Sequence, residues 1–354
     1  MSVSDKNLTA ASIRSLRPGT VIQEDIYAFD STMLIIERGT LLDETKLERL
    51  KNLNKKNDLI YITSDGSPTK NRLDTKREAL EEEAGYTTLI NETVEFFAGI
   101  ANAKTIENKA IESISHELSN RLETTSPSVI LSLINALAPV DEYLQRHCVN
   151  TSLLNGLMGK WLGLSKNAID RLILIGLLHD CGKALMPPSL LGADRRLTTA
   201  EFEVIKMHTI RSYELLSAFP EPIRRAARSH HEKVNGRGYP DKLYANNIPA
   251  EARITALADI YDAMVSRRSY KEPRSPFSIM AIISKLGGED LDPKLVNLFL
   301  KNMPSELVGK EVFLSDGRVG VVSSYDLKNI EYPVVDINGK QIQTNQELYC
   351  TYMC

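Results

Sequence analysis

Most of the histidines in this 354-residue chain lie in one stretch of the sequence, and two aspartates accompany them. Five of the six histidines fall between residues 147 and 231. Imidazole and carboxylate groups, with no thiolate at matching positions, suit divalent ions such as iron, manganese or zinc. The pattern therefore predicts a metal centre. Its predicted ligands are His147, His179, Asp180, His208, His230, His231 and Asp259.

The adjacent pairs in this set are stronger evidence for metal binding than the single histidines are. A lone helical histidine such as His147 is more often a hydrogen-bonded core or surface residue. His179-Asp180 follows an apolar run, and a buried polar group without a partner costs about 1 to 3 kcal/mol. His230 and His231 would likewise be a buried polar pair without partners. Metal coordination would satisfy both pairs. Because seven ligands exceed the coordination number of one ion, we expect two ions.

Helices are expected to position these residues. The segment LILIGLLHDCGK, residues 172–183, is typical of an apolar helix that ends at its polar residues. Thr198 and Glu201 have the spacing of a capping box, which predicts the start of the next helix. The remaining predicted ligands lie in or directly after other runs with helical periodicity.

The chain is expected to be mainly α-helical and to have four parts. Residues 1–64 combine short β-type runs with one helical pattern, which predicts a small α+β module for regulation or docking. Residues 65–126 are predicted to form a linker and connecting helices, and residues 127–303 a helical domain that carries the metal centre. Residues 304–354 alternate like strands and predict a small β extension. The hairpin signals in this extension are Asp316-Gly317 and Asn338-Gly339.

Composition argues against several other functions. Forty-three basic and 46 acidic residues leave a net charge of −3, so we expect no DNA or RNA binding. No apolar stretch reaches the length of a membrane span and the N-terminus lacks a secretory pattern, so we expect no membrane insertion and a cytoplasmic location. The four cysteines predict neither a zinc ribbon nor a disulfide framework. Cys148 and Cys181 are expected to be small apolar core residues.

Several spaced motifs, in the same order, resemble the HD-GYP branch of the HD-domain metal phosphohydrolases. The similar region runs from about residue 140 to about residue 303. The motifs are His179-Asp180-x-Gly-Lys183, His208, His230-His231-Glu232-x-x-Asn235-Gly236-x-Gly238-Tyr239-Pro240, Asp259-x-x-Asp262-Ala263 and Arg268-x-x-Lys271. The resemblance implies an HD-type helical bundle that hydrolyses cyclic di-GMP to linear pGpG, and in some members further to GMP.

The resemblance also implies a role for each predicted ligand. His147 matches the first metal ligand, and Asp259 matches the carboxylate that completes the first ion. His179 and Asp180 match the pair whose carboxylate bridges both ions, which implies a catalytic role for Asp180. Two divalent ions, iron or manganese, are the implied cofactor. The residues that match ligands of the second ion are His208, His230 and His231.

Substrate contacts are implied by the same resemblance. Lys183 matches a catalytic lysine that contacts phosphate, and Arg268 with Lys271 matches a basic pair that grips the dinucleotide. From the chemistry of the reaction, and not from the resemblance, we expect the leaving alcohol to take its proton from solvent or from a nearby acid such as Glu232. The residues of the loop that shapes the pocket rim are Gly236, Gly238, Tyr239 and Pro240, of which Gly238 and Tyr239 are predicted to contact the substrate.

One departure from the family pattern bears on the number of metal ions. Some members carry a glutamate one helical turn before the first histidine, where it supports a third ion. Here that position is Tyr143, and Glu142 is rotated by about 100° from the required direction. We therefore predict a two-metal site and hydrolysis mainly to pGpG. Asn235 and Ser269 stand where the family often has aspartate and proline, and neither change removes a ligand.

Two other functions stay open from the sequence. The first is an HD-domain hydrolase that acts on nucleoside triphosphates or alarmones. The intact loop that contains Gly238, Tyr239 and Pro240, here called the GYP loop, argues against this function. The second is a cyclic di-GMP receptor or docking scaffold that binds without turnover. A protein partner that docks on the GYP loop or on the N-terminal module, and a homodimer, are further expectations.

Overall fold

The computed structural model describes most of the chain from residue 70 onward. The described residues are 26–27, 34–36, 40–41, 43–44, 70–135, 143–193, 195–265 and 274–353. Contacts within the chain divide it into two compact units, Met1–Glu78 and Ala79–Cys354. The domain boundaries that the sequence places after residues 64, 126 and 303 stay predictions.

The first unit contains a short antiparallel strand pair. Strand β1 (Ile26–Tyr27) pairs with strand β2 (Leu34–Ile36). Both strands fall in the β-type runs from which the sequence predicts an α+β module. Most of the helical pattern that follows them lies outside the described residues, so the helical part of that module stays a prediction.

Helices make up most of the chain between residues 70 and 302. They are, in chain order, α1 (Lys70–Ala103), α2 (Asn108–Thr124), α3 (Pro127–Asn135), α4 (Tyr143–Trp161), α5 (Lys166–Leu178), α6 (Pro188–Leu191), α7 (Thr199–Lys206), α8 (His208–Leu215), α9 (Glu221–Ser229), α10 (Ala250–Val265), α11 (Pro276–Leu286) and α12 (Pro293–Asn302). Within the described ranges, no helix is long and apolar enough to cross a membrane. The predicted mainly α fold is confirmed.

Helix α4 lies at the centre of the helical core. Its residues from His147 to Gly159 are all buried, and α4 packs against α5 and α10. Gly176 allows α5 to approach closely, because a Cβ at this position would lie 2.5 Å from the Cα of Ser152. Cys148, also on α4, is fully buried, and burial raises the pKa of its thiol, as expected for a small apolar core residue.

The predicted apolar helix is α5, whose second half is buried. It ends at Leu178, and a 3-10 turn at Cys181–Leu185 follows. The predicted capping box is present at the start of α7: the Thr198 hydroxyl accepts from the Glu201 N–H at 3.3 Å, and the Glu201 carboxylate accepts from the Thr198 N–H at 2.8 Å. Local sequence signals thus define both α5 and α7.

Gly182 lies in this 3-10 turn and packs closely against the backbone of helix α8. A Cβ at residue 182 would overlap the carbonyl oxygen of His208 and lie 2.5 Å from the backbone nitrogen of Ser212. The Ser212 hydroxyl accepts from the Gly182 N–H at 2.9 Å and donates to the His179 carbonyl at 2.9 Å. The glycine therefore sets the separation between the turn after α5 and the first turn of α8.

Replacing Gly182 with alanine is expected to destabilise the protein. Because the added methyl group would overlap backbone atoms, which move less easily than side chains, we expect a loss of about 2 kcal/mol or more. For a domain of this size that loss lowers Tm by about 5 °C. Gly99→Ala is the matched control, since a Cβ there meets nothing within 4 Å on helix α1. Equal Tm values for both variants would contradict the packing argument.

The C-terminal residues form an antiparallel sheet in the second unit. The strand order is β6-β5-β4-β3-β7. The predicted hairpins are confirmed, because Gly317 lies between β3 and β4 with φ +84°, and Gly339 lies between β5 and β6 with φ +83°. The inner face is apolar, and strand β7 packs against α3 and α11. The strands are β3 (Glu311–Leu314), β4 (Val319–Ser324), β5 (Val334–Ile337), β6 (Lys340–Gln343) and β7 (Cys350–Met353).

Candidate metal centre

The seven predicted ligands converge in the second unit although they come from separate elements. Helices α4 and α10 contribute one residue each, and the others lie at helix ends: after α5, at the start of α8 and after α9. The side chains form two neighbouring groups, and within each group the candidate ligand atoms lie within 4.8 Å of one another. One group is His147, His179 and Asp259, and the other is Asp180, His208, His230 and His231.

The carboxylate of Asp180 lies between the two groups. Its Oδ2 atom is 3.7 Å from Nε2 of His147 and 3.3 Å from Nε2 of His179. Its Oδ1 atom is 3.2 Å from Nε2 of His208 and 3.8 Å from Nε2 of His230. One oxygen therefore faces each group, which is the arrangement of a carboxylate that can be shared by two cations.

Hydrogen bonds orient three of the imidazoles with Nε2 toward the centre. In His179, His208 and His230, Nδ1 lies 2.7, 2.7 and 2.8 Å from a main-chain carbonyl oxygen three residues earlier. A carbonyl only accepts, so Nδ1 carries the proton and the neutral ring keeps its lone pair on Nε2. The carbonyls belong to Gly176, Ile205 and Ala227. This tautomer is the one that binds a metal through Nε2.

His147 is oriented by a carboxylate that the sequence reasoning left without a role. Its Nδ1 donates to Oδ2 of Asp262 at 2.6 Å, and Nδ2 of Asn150 donates to Oδ1 of Asp262 at 2.6 Å. Asn150 also accepts a hydrogen bond from Tyr86 on α1. A local signal was present, because Asp259 and Asp262 are three residues apart and so share a helix face.

Replacing Asp262 with asparagine is expected to weaken metal binding without removing a ligand. The variant loses the charge that holds His147 in place, and loss of such a supporting group typically costs 10- to 100-fold in metal affinity. Competition with a chelator of known affinity measures the effect. Asp290→Asn, which changes an acid that pairs with Lys233 outside the metal centre, should leave the affinity unchanged. Equal affinity in both variants would contradict the role of Asp262.

The charge state of the centre suits a divalent cation. Burial would raise the pKa of Asp180, but Lys183 and His179 hold it well below its usual range. Burial is also the main cause that lowers the pKa of His231 to about 3. Burial likewise would lower the pKa of His147, yet Asp259 and Asp262 raise it to about 9. Metals bind to anionic carboxylates and neutral imidazoles, and the lowered pKa values of Asp180 and His231 favour these forms.

Two buried atoms in the centre fit a metal ion better than a hydrogen-bond network. Across the described part of the chain, neither Nε2 of His179 nor Oδ1 of Asp180 has a hydrogen-bond partner, and both residues are fully buried. A buried polar atom without a partner is unfavourable, and coordination of a cation would satisfy both atoms. The residues present therefore fit a divalent metal site.

The predicted substrate contacts lie beside this centre as far as they are described. Lys183 contacts Oδ2 of Asp180, and its side chain is 20% exposed. The ring of Tyr239 lies 4.7 Å from the ring of His231. Arg268 and Lys271 lie outside the described residues. Their roles stay predictions.

Two features hold the backbone of the GYP loop in place: close packing at Gly238 and hydrogen bonds to the side chain of Glu232. Gly238 is buried, and a Cβ there would lie 2.6 Å from the carbonyl oxygen of His231. The carboxylate of Glu232 accepts from the backbone N–H of Asp241 at 2.7 Å and of Leu243 at 3.0 Å. Both oxygens of Glu232 thus bind the loop. Donation of the leaving-group proton by Glu232 or by solvent stays a prediction.

The fold and the candidate ligands together form a helical bundle with a His/Asp cluster in two groups. Residues 131–295 match the family described as HD domain. A solved structure from Bdellovibrio bacteriovorus, described as an HDG"Y"P protein, has a TM-score of 0.52 and 16% identity over 85% of this chain and 100% of its own. At this identity the similarity supports the fold alone.

Curated relatives match about half of this chain. A cyclic di-GMP phosphodiesterase of Thermotoga maritima is 35% identical over 177 residues, which are 49% of this chain and 48% of the relative. A 3'3'-cGAMP-specific phosphodiesterase 2 of Vibrio cholerae is 31% identical over 185 residues, which are 51% of this chain and 35% of the relative. The chain thus spans about half or less of the length of these relatives.

Proposed function

We propose that this protein is a metal-dependent phosphodiesterase that hydrolyses cyclic di-GMP to linear pGpG. The observation that carries the proposal is the position of Asp180, with one carboxylate oxygen toward each of two histidine groups. Relatives named for cyclic di-GMP hydrolysis support the choice of substrate. The seven residues that would hold two divalent ions, iron or manganese, are His147, His179, Asp180, His208, His230, His231 and Asp259.

The chain's own residues would position the reacting groups. When bound, a pair of divalent ions supplies an activated water at neutral pH and neutralises charge on a phosphodiester. Burial would lower the pKa of Lys183, but Asp180 and Asp259 raise it, so the ammonium stays charged at neutral pH. Its partial exposure at the edge of the centre lets it reach a phosphoryl oxygen. Lys183 would therefore stabilise negative charge that develops during attack.

A turnover assay tests this proposal. The full chain is prepared under reducing, anaerobic conditions with iron or manganese, and cyclic di-GMP is converted at catalytic enzyme concentration. We expect linear pGpG as the main product in chromatography. Binding without product at stoichiometric enzyme would show a receptor, and hydrolysis confined to nucleoside triphosphates or alarmones would show a different HD-domain hydrolase. A protein partner and a homodimer stay predictions.

We also expect two metal ions per chain, because of the residue at position 143. The Tyr143 ring stacks on the His147 ring with centroids 5.7 Å apart and an interplanar angle of 11°. It occupies the place one turn before the first histidine, and a phenol of ordinary pKa about 10 brings no charge at pH 7. Tyr143→Glu should raise the metal count from two to three in elemental analysis. An unchanged count in that variant would contradict this explanation.

A further inference from the structure

An exposed aromatic side chain lies at the edge of the candidate metal centre. Phe202, on helix α7, is 45% exposed. Its ring meets the Tyr239 ring edge to face, with centroids 6.4 Å apart and an interplanar angle of 78°. Tyr239 in turn lies 4.7 Å from the ring of His231 at an angle of 34°. The rings of His231, Tyr239 and Phe202 are therefore in contact one after another, from a predicted metal ligand to a solvent-exposed side chain.

A lysine lies beside both of these rings. Lys206 follows Phe202 by one helical turn, and its Nζ atom is 5.0 Å from the Phe202 ring centroid and 5.5 Å from that of Tyr239. Its ammonium also pairs with Glu203 at 2.6 Å, but Glu203 is 62% exposed. An ion pair at such a surface is weak, so a ligand can compete for the ammonium.

Helix stability alone does not explain this arrangement. A phenylalanine and a lysine four residues apart can stabilise a helix by themselves. That pairing does not require Tyr239, which belongs to the GYP loop 37 positions after Phe202. Nor does it require the phenylalanine to lie on the side of α7 that faces the metal centre.

We propose that Phe202, Lys206 and Tyr239 form a subsite for a purine base of the substrate, here called the base rim, and that Lys206 favours guanine. This inference rests on the proposed function. With the phosphate at the metal centre, the base would lie one ribose away from it, and the base rim is an aromatic surface that adjoins this centre. Stacking on an aromatic ring accepts any base. We assign selection among bases to Lys206, whose charged ammonium lies beside both rings.

The hydrogen-bonding capacity of lysine determines which base it favours. An ammonium group has three donors and no acceptor. The N7–O6 edge of guanine offers two acceptors, whereas the same edge of adenine offers one acceptor and one amino donor. Lys206 therefore makes favourable contacts with guanine and places a donor against the adenine amino group. Glutamine, which both donates and accepts, would match adenine instead.

Phe202→Ala tests the stacking part of the inference. In the metal-loaded full chain we expect KM for cyclic di-GMP to rise about tenfold, which is within the range for loss of one base stack, while kcat stays within about twofold. Phe202→Trp should retain the parent KM. Val204→Ala is the matched control, since Val204 is 43% exposed on the same helix. An unchanged KM in Phe202→Ala, or an equal rise in Val204→Ala, overturns the inference.

Lys206→Gln and Lys206→Arg test the selection of guanine. The inhibition constant of cyclic di-AMP against cyclic di-GMP hydrolysis measures how well adenine is accepted, even where cyclic di-AMP is not hydrolysed. We expect the preference for the guanine ligand to fall about tenfold in Lys206→Gln, because one well-matched pair of base contacts typically contributes this much or more. Lys206→Arg should keep the preference, since arginine also only donates. Equal preference in all three proteins overturns the role of Lys206.

Failure of the base rim can be distinguished from failure of the proposed function. If the parent protein hydrolyses cyclic di-GMP and Phe202→Ala has the same KM, the base rim is wrong and the function stands. If the parent protein has no turnover, the proposed function fails. Calorimetric titration with GMP then tests the base rim separately. Weaker GMP binding in Phe202→Ala than in Val204→Ala supports it, and equal affinity overturns it.

Discussion

Replacing Asp180 with alanine is expected to remove metal from both groups of the candidate centre and to lower kcat at least about a thousandfold. The carboxylate lies 3.3 Å from His179 with one oxygen and 3.2 Å from His208 with the other, so its loss affects both positions. A metal centre contributes several kcal/mol to transition-state stabilisation, and each 1.36 kcal/mol is a factor of ten in rate. Elemental analysis and the turnover assay on the same sample measure both effects.

Single-group variants make this prediction specific. His147→Ala removes a residue from one group, and His230→Ala removes a residue from the other. Each should therefore lower the metal content from about two ions to about one, whereas Asp180→Ala should approach zero. Asp170→Ala is a control, because this aspartate is 38% exposed on α5 and is not part of either group. Full metal content in Asp180→Ala would show that the carboxylate is not shared.

Replacing Lys183 with alanine is expected to lower kcat by about a hundredfold or more with little change in KM. Loss of one group that stabilises developing charge typically costs this much. An interaction made mainly in the transition state affects kcat and leaves substrate binding nearly unchanged. Lys183 is held at the edge of the centre by its contact with Asp180, where its charge can act on the phosphoryl group.

Two further measurements separate this role from a structural one. The metal content of Lys183→Ala should equal that of the parent protein, because lysine is not among the candidate ligands. Lys166→Ala serves as the control, since Lys166 is 61% exposed at the start of α5 and pairs with Glu123. A rise in KM with an unchanged kcat would assign Lys183 to ground-state binding. A fall in metal content would assign it to support of Asp180.

A large part of the fold and of the candidate site can be predicted from the residue types and the local patterns of this chain. The apolar run of α5, the capping box of α7 and the two glycine turns of the C-terminal sheet are each determined by neighbours in the sequence. The ligand set could also be named, because histidine and aspartate are rare together in apolar helical runs unless something satisfies them. Both kinds of signal are short-range.

The contacts that support the ligands could not be predicted in this way. His147 meets Asp262 across 115 residues, and Asn150 meets the same carboxylate across 112. The chain reversal of the GYP loop brings the backbone N–H groups of Asp241 and Leu243 to the carboxylate of Glu232. Such partners depend on how helices cross and loops return, which no local pattern contains.

The sequence by itself determined which side chains are available to bind metal, namely seven candidate ligands, and that the scaffold is mainly helical. Only the tertiary structure decided how those side chains divide into two groups around Asp180, which nitrogen of each imidazole faces inward, and that Phe202 and Lys206 stand beside Tyr239. The physical reason is that side-chain type is a property of the residue. Distance and direction between remote residues arise only when the helices pack.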